Sequence, residues 1–365
     1  MQLESKTVLK AATKYKGGTC LLIAIGTVFW TGVSILPGNP YFLLAQDPTT
    51  AHEIENTYQS TPLFGIIAWF LEIDSLRGFA IYSLLWCLGS FVLLYAYLKN
   101  HLESSLPFIF CILLNHPFAY TQLLWLGLAD SAHYCFWFLI LLSKNCVSKS
   151  LYATLAGANH PASLFVAVTF LFSNENRKTK ASLLFSTLVG LLLAKAWNAY
   201  HDINIYSRTE YILDRGLWHP LYNALCNFPT LFFSYHHILW VIVVILLLYS
   251  YKERKTLFKS LLALHIIAFS SVIATDLTRC FAIIVTPLLV KLIAEFQWEK
   301  NQASFIFEPQ VLLLLSFLAF ITPSVFVWDA SVWINSFHFH FSNFWEVIFN
   351  NDYFILYPTG ELNNQ

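Results

Sequence analysis

Long, nearly uninterrupted apolar runs recur along the chain and restrict what it can fold into. Examples are residues 19–36, 76–98, 230–250 and 280–296. Each is long enough for a helix to cross a bilayer, which takes about 17 to 25 apolar residues. The runs are continuous rather than alternating, which favours helices over barrel strands as the membrane-spanning element. We therefore predict an all-α, polytopic transmembrane helix bundle with about 8–11 membrane helices, including short or re-entrant ones.

The composition leaves too little polar surface for a water-soluble protein. The chain of 365 residues is 57% hydrophobic and 12% charged, whereas soluble domains carry about 25% charged residues. Its 21 basic and 21 acidic residues cancel, so no basic surface for nucleic acid is expected. Its cysteines form no C-x-x-C pair, and we interpret most of them as small buried apolar residues.

The distribution of lysine and arginine predicts how the helices are oriented. Lysines precede the first apolar run, and basic residues stay on the cytoplasmic side of membrane helices. We expect an integral plasma (inner) membrane protein, multi-pass, with a cytoplasmic N-terminus and a bacterial origin. Residues 1–365 form a single transmembrane domain, in which 37–75 is the first extracytoplasmic loop, 198–229 is another and 328–365 is an extracytoplasmic tail.

Several apolar stretches are short or interrupted. The stretch 62–71 is too short to span and is expected to lie at the interface or re-enter, whereas 105–143 is expected to cross twice. The sequence Gly-Ala-Asn-His-Pro at 157–161 breaks a helix and predicts a hairpin of short helices over 150–172. A last helix is expected at 308–327, before an aromatic tail at headgroup depth.

Three polar residues stand out where apolar runs meet the predicted extracytoplasmic side. Asp47 follows the first helix; its carboxylate suits a general base or a divalent-cation ligand, and a solvated acidic loop fits equally well. Asp130 lies at the outer end of an apolar helix, where it either faces a cavity or partner or acts as the N-cap. His160 lies in a broken helix and lines either a cavity or a packed turn.

Other residues on the same side are candidates for binding phosphate. Asp276 and Arg279 are three apart at a helix junction, which predicts either a structural salt bridge or an arginine that holds phosphate and is oriented by the aspartate. Lys195 lies near the outer end of its helix, where it either extends to the interface or neutralises a phosphate.

The loop 198–229 carries Arg208, Arg215 and His219 in an otherwise acidic region, which suits a pyrophosphate or lipid phosphate, although a merely solvated loop is compatible as well. The chain also has a His236-His237 pair and a His338-x-His340 pair. Two histidines without a third ligand at a defined spacing are weak evidence for a metal site.

The layout of these residues resembles that of the GT-C superfamily of polytopic membrane glycosyltransferases. The resemblance lies in Asp47 of the first outer loop, the Tyr58–Leu63 approach to the next helix, Gly127–Asp130, Asn159–Pro161 and Asp276–Arg279. It covers most of the chain in layout, through loose motifs. The chain departs from the common pattern because it lacks a pair of adjacent acids at Asp47 and a separate soluble domain after the helices.

The resemblance implies an enzyme that takes a sugar from a polyprenyl-phosphate donor in the outer leaflet, so that a lipid-linked sugar and membrane lipids are its partners. Asp47 would deprotonate an acceptor hydroxyl. The charge that grows on the leaving phosphate would be stabilised by Lys195, Arg208, Arg215 and Arg279. A divalent cation, Mg²⁺ or Mn²⁺, would do the same, with its ligands left unknown. The remaining substrate-binding residues would be Asp130, His160, His219 and Asp276.

Other classes of function fit the same sequence. A polymerase or ligase that joins lipid-linked glycans would use similar outer-face arginines and histidines. Broken helices and intramembrane ionisable groups are typical of transporters, although no inverted repeat is visible and the polar residues gather on one side. A scaffold in a larger membrane complex would not require Asp47, His160 and Arg279 to converge.

Overall fold

In a computed structural model, the described residues of the chain are mainly helical. The helices are α1 Lys16–Thr31, α2 Pro40–Gln46, α3 Leu63–Phe70, α4 Leu76–Lys99, α5 Leu106–Leu114, α6 Pro117–Leu124, α7 Asp130–Leu142, α8 Cys146–Asn159, α9 Ser163–Phe170, α10 Arg177–Tyr200, α11 Trp218–Cys226, α12 Phe228–His236, α13 Leu239–Glu253, α14 Lys255–Ala268, α15 Leu277–Glu295, α16 Pro309–Ile321 and α17 Ser342–Asn350. Strands β1 Ser324–Trp328 and β2 Ser331–Asn335 pair antiparallel. The structure describes residues 15–35, 40–51, 59–102, 105–205, 210, 213, 216, 218–269, 271, 276–296, 309–328, 331–335 and 341–350.

Three helices of the described residues, α4, α10 and α15, are long and apolar enough to cross a membrane. The pair α12 and α13 would be a fourth if it counts as one span, although it is bent by 83°. The helices α1, α7 and α16 are apolar but shorter. The predicted helical class is therefore correct, and by length and composition the described residues hold three or four candidate spans.

Helix α15 forms the centre of the bundle. It is apolar on all sides, as expected of a helix that no polar face turns towards water, and nearly all of its residues are buried. Helices α6, α7, α9, α12 and α14 and strand β1 pack against it. Residues at its first turn are consequently enclosed by several elements.

Helices α8 and α10 run parallel and approach each other closely through small residues. Ser150 and Ser182 hydroxyls are 2.5 Å apart, and further along Gly190 lies directly against the Thr154 carbonyl. Gly157 lies against the Thr187 carbonyl in the same way. Small residues that let two backbones meet are the usual basis of helix packing within membranes.

The bundle has two distinguishable ends. At one end, Lys291 Nζ lies 3.0 Å from Glu175 Oε1, and Lys149 Nζ lies 3.5 Å from the same oxygen. At the other end of α10, Trp197 Nε1 donates to the Pro48 carbonyl at 3.1 Å, and Asn198 Nδ2 donates to the Gln59 carbonyl at 2.9 Å. The first end holds residues that the lysine and arginine distribution assigns to the cytoplasm, and the second holds the first predicted outer loop.

Several predicted boundaries are confirmed, among them α4, the eight-residue α3 within 62–71 and the end of α8 at Asn159. Within 105–143, the turn predicted near 115–127 contains a helix of its own, α6, between α5 and α7. The break before α6 is stabilised locally, since Pro117 starts the helix and His116 Nδ1 accepts from the Phe118 amide at 3.2 Å.

Three other stretches differ from their predictions. The run 230–250 is not one helix, because the chain turns sharply at His237, whose φ is 49°. The helix predicted at 308–327 ends at Ile321, and strand β1 follows. Pro323 disfavours helix at the residue before it, and the Val- and aromatic-rich sequence after it suits a strand. The predicted loop 198–229 contains helix α11.

Candidate functional site

Two carboxylates and a guanidinium from distant parts of the sequence meet at the start of α15. Arg279 donates to Asp130 with two nitrogens, Nε to Oδ2 at 2.5 Å and Nη2 to Oδ1 at 2.7 Å. Arg279 Nη1 also donates to Asp276 Oδ2 at 3.2 Å. Asp130 and Arg279 are only 2% and 7% exposed. We call this the Asp130–Arg279–Asp276 group.

Local sequence explains how each member is positioned. Asp276 is the N-cap of α15 and accepts from the Arg279 amide at 3.3 Å, so the same carboxylate caps the helix and pairs with the side chain one turn later. Asp130 is not an N-cap, because Ala129 holds that position in α7. Its carboxylate, at the positive end of α7, is turned towards Arg279 instead.

The net charge of the group near neutral pH is set by the protonation of Asp276. Burial raises the pKa of Asp276 to about 7, against the opposing effect of the Arg279 guanidinium and with a contribution from the Asp130 carboxylate. One carboxylate therefore balances the guanidinium, while the carboxyl of Asp276 exchanges a proton near pH 7. A protonated carboxyl beside a guanidinium can donate a hydrogen bond to an anion.

Two histidines extend the group, His133 on α7 and His160 at the C-cap of α8. His160 Nε2 lies 3.7 Å from Asp130 Oδ1, and its Nδ1 accepts from the Ala162 amide at 3.1 Å, which places the proton of the neutral ring on Nε2. The ring centroids of His133 and His160 are 5.3 Å apart. The Ser163 hydroxyl donates to the Ala156 carbonyl at 2.7 Å, so it accepts from His133 Nδ1 at 3.0 Å.

Asp47 is positioned by a different set of contacts at the end of α2. Its Oδ1 accepts from the Thr49 amide at 2.9 Å and the Thr49 hydroxyl at 2.6 Å, and its Oδ2 accepts from the Thr50 hydroxyl at 2.5 Å. These bonds form a local turn and hold the carboxylate in one orientation.

The structure thus brings four predicted residues together, namely Asp130, His160, Asp276 and Arg279. Lys195 is exposed on α10. Arg208, Arg215, His338 and His340 lie outside the described residues, as does the side chain of His219. Within the part of the chain that the structure describes, no group of three or more His, Cys, Asp or Glu residues could hold a metal ion.

Sequence reasoning missed a row of three buried histidines beside α15. His116 Nε2 lies 3.1 Å from His236 Nδ1, and His236 Nε2 lies 3.0 Å from His265 Nε2. His116 Nδ1 accepts from the Phe118 amide and His265 Nδ1 lies 2.7 Å from the Leu261 carbonyl. Each neutral ring has one N–H donor. Because His116 Nδ1 is an acceptor, His116 Nε2 donates to His236 Nδ1. His236 Nε2 then donates to His265 Nε2, and His265 Nδ1 donates to the Leu261 carbonyl. The sequence signal was limited to His116 and His236, which lie at helix breaks, whereas His265 lies within α14.

The neighbouring His237 fixes the bend between α12 and α13. Its Nε2 accepts from the Val325 amide at 3.2 Å, while the Tyr120 hydroxyl donates to the Val325 carbonyl at 2.6 Å. Strand β1 therefore binds both to the bend and to α6. The positive φ of His237 is maintained by these buried bonds.

Comparison of the chain with protein-family models, with curated proteins and with solved structures finds no match. Any assignment of function therefore depends on the residues and their arrangement. The class that the structure defines is a mainly helical protein with three or four candidate membrane spans and a buried ionisable group at one end of them.

Proposed function

We propose that the protein is a membrane glycosyltransferase that moves a sugar from a polyprenyl-phosphate donor to an acceptor at the extracytoplasmic face of the plasma membrane. The observation that carries the proposal is the Asp130–Arg279–Asp276 group, buried at one end of the bundle. Buried ionisable residues among membrane helices are costly and usually serve function. A site for a lipid phosphate requires groups of this kind near the ends of the spans.

The described residues Pro48 and Gln59 of the predicted first outer loop contact α10 at the same end of the bundle as the group. Helix α8 ends at Asn159, next to His160, and it pairs with α10 near Gly190. Trp197, which binds the loop at Pro48, is one to two turns further along α10, or about 10 Å at the rise of an α-helix. The proposal places the sugar of the donor between Asp47 and the phosphate-binding residues.

In the proposed reaction, the bond between the sugar and the donor phosphate breaks as the acceptor oxygen bonds to the sugar. Asp47 takes the proton of the acceptor hydroxyl. Arg279 and the protonated carboxyl of Asp276 stabilise the negative charge that grows on the leaving phosphate. Lys195, Arg208, Arg215 and His219 are proposed as further phosphate ligands. A divalent cation would also stabilise the negative charge that grows on the leaving phosphate.

The test is transfer from radiolabelled polyprenyl-phosphate sugars by purified protein in lipid, with and without Mg²⁺ or Mn²⁺. We expect transfer by the wild type and its loss in Asp47→Asn. The matched control is Asp74→Asn, which removes an exposed carboxylate from the same predicted outer segment and should leave transfer unchanged. Equal activity of Asp47→Asn and wild type would exclude Asp47 as the base, and no transfer from any donor would exclude the enzyme.

A transporter is the second candidate, and one observation favours it. The helix pair α12 and α13 is bent by 83° where the row of buried histidines crosses it, and broken helices beside ionisable groups are typical of transporters. Uptake of a solute or of protons by sealed vesicles that is abolished in His236→Phe, while no sugar is transferred, would select this alternative.

A further inference from the structure

A second polar site lies at the opposite end of α15. Asp276 and Arg279 are at the first turn of this helix and Glu295 is its last residue, which separates the two sites by about 28 Å at the rise of an α-helix. There the structure has a cavity of about 370 Å³, lined by Asn174, Arg254, Lys255, Thr256, Leu257 and Glu295. It belongs to the end that the lysine and arginine distribution assigns to the cytoplasm.

The charges around the cavity favour an anion. Arg254 and Lys255 both line it, and neither forms an ion pair with any residue that the structure describes. The carboxylate of Glu295 adds little negative charge, because Lys291 Nζ lies 2.5 Å from Glu295 Oε1. Lys149, Glu175, Lys291 and Glu295 together form a neutral ion network, so the two lining cations are left in excess.

The start of α14 adds to this positive potential. Helix α14 begins at Lys255, and no side chain of the described residues caps it. The amides of a first helical turn have no carbonyl partner within the helix, and the helix dipole places partial positive charge there. The Thr256 hydroxyl and the Asn174 amide also line the cavity and can donate to phosphate oxygens.

Glu295 gives the cavity an acceptor as well. Its side chain lines the cavity and is 32% exposed, and among the described residues Lys291 Nζ is the one hydrogen-bond donor to its Oε1 oxygen. A carboxylate oxygen has two lone pairs, so Oε1 can accept a second hydrogen bond from a ligand in the cavity. The ligand should therefore carry a hydrogen-bond donor as well as a phosphate, and the excess of two cations favours a hydroxyl over an ammonium group.

We propose that this cavity binds a phosphate group that carries a hydroxyl donor, with the phosphate at Arg254 and Lys255 and the hydroxyl at Glu295. The headgroup of a phosphatidylglycerol-type lipid has this chemistry, and so does a small soluble phosphomonoester such as glycerol phosphate. Basic pockets between membrane helices on the cytoplasmic side are typical sites for anionic headgroups. The inference goes beyond the proposed glycosyl transfer and does not depend on it.

The experiment compares lipid retention by the full chain, using native mass spectrometry from nanodiscs. The discs contain phosphatidylcholine alone or with a minor fraction of phosphatidylglycerol or phosphatidylmethanol, which has the same charge and no hydroxyl. We expect saturable retention of phosphatidylglycerol that exceeds retention of phosphatidylmethanol. This comparison uses the wild-type chain only, so it does not depend on the folding of a variant.

A matched pair of variants locates the binding. Arg254→Gln with Lys255→Gln should reduce retention about tenfold, because it removes both cations that face the phosphate. Lys252→Gln with Lys259→Gln removes the same charge from exposed positions of α13 and α14 outside the cavity and should reduce retention less than twofold. Equal losses in the two variants, or equal retention of phosphatidylglycerol and phosphatidylmethanol, would overturn the site.

A second arm separates the two sources of phosphate. Glycerol phosphate is added to the protein in phosphatidylcholine discs, and thermal unfolding is followed for the wild type and both double variants. Stabilisation of the wild type and the control, but not of Arg254→Gln with Lys255→Gln, assigns the site to a soluble phosphomonoester. Absence of saturable binding in both arms would refute the proposal.

Discussion

Removing Arg279 should reveal how strongly the buried ion pair is coupled. In Arg279→Gln, the carboxylate of Asp130 stays 2% exposed and loses both of its charge-assisted hydrogen bonds. Removing one partner of a buried ion pair costs about 3–5 kcal/mol. The start of α7 and His160 at 3.7 Å partly compensate the carboxylate. We therefore expect a loss of about 3 kcal/mol in the free energy of unfolding.

The double variant Asp130→Asn with Arg279→Gln should be less damaging than the sum of its parts. Two neutral amides can hydrogen-bond to each other, and neither leaves a buried charge without a partner. We expect a coupling of about 2 kcal/mol between the two sites, within the range for residues in direct contact. Arg279→Lys should recover only part of the loss, because an ammonium group cannot donate in the planar bidentate geometry.

The assay is reversible unfolding in mixed micelles, followed by tryptophan fluorescence. The control is Arg177→Gln at the exposed start of α10, which should change stability by less than about 0.5 kcal/mol. A loss below about 1 kcal/mol in Arg279→Gln, with additive effects in the double variant, would show that the pair is not coupled as the structure indicates.

Three further predictions concern other parts of the fold. Gly190→Ala should destabilise by about 1–3 kcal/mol, since its methyl group would meet the backbone of α8; Gly18→Ala, with nothing within 4 Å, is the control in the same unfolding assay. Burial alone would raise the pKa of Glu175, but the ammonium groups of Lys291 and Lys149 hold it below its ordinary 4.5. The stability from this pairing is therefore complete above pH 4.5 and lost as the pH falls through the lowered pKa, and Glu175→Gln should remove that part of the acid dependence of unfolding. The rate of transfer by the proposed enzyme should fall above about pH 7, because Asp276 ionises there and can no longer donate a hydrogen bond. Asp276→Asn keeps a neutral donor, so its rate measured against pH should not show this fall.

Much of the helical layout could be predicted because the signals are local. The run 76–98 contains no strong breaker and corresponds to α4. The break at 157–161 contains proline, which cannot continue a helix, and α8 ends at Asn159. The stretch 62–71 is bounded by proline and acidic residues and forms only the short α3. In each case the residues that decide the structure lie inside the element.

The bends and the strands could not be predicted because they depend on distant partners. The bend at His237 depends on hydrogen bonds to Val325, which is 88 positions away. Without these bonds the apolar run 230–250 reads as one continuous helix. Strand β1 likewise depends on its pairing with β2 and on its packing against α12 and α15.

The candidate site was predictable residue by residue but not as an arrangement. Asp276 and Arg279 are three apart, so their contact follows from helical geometry. The contact of Asp130 with Arg279 joins residues 149 positions apart, and no pattern in one sequence specifies it. The row of His116, His236 and His265 shows the same limit, since each histidine alone reads as a polar residue in an apolar run.

The most direct test of the account is to find where a lipid-linked sugar binds. The purified protein in lipid would be crosslinked with a photoreactive polyprenyl-phosphate sugar, and the labelled peptides identified by mass spectrometry. We predict saturable labelling within residues 276–283 or 130–134, prevented by unlabelled donor and reduced in Arg279→Gln. Labelling confined to the cavity at Arg254 and Lys255, or no saturable labelling, would contradict the assignment of the Asp130–Arg279–Asp276 group as a donor site.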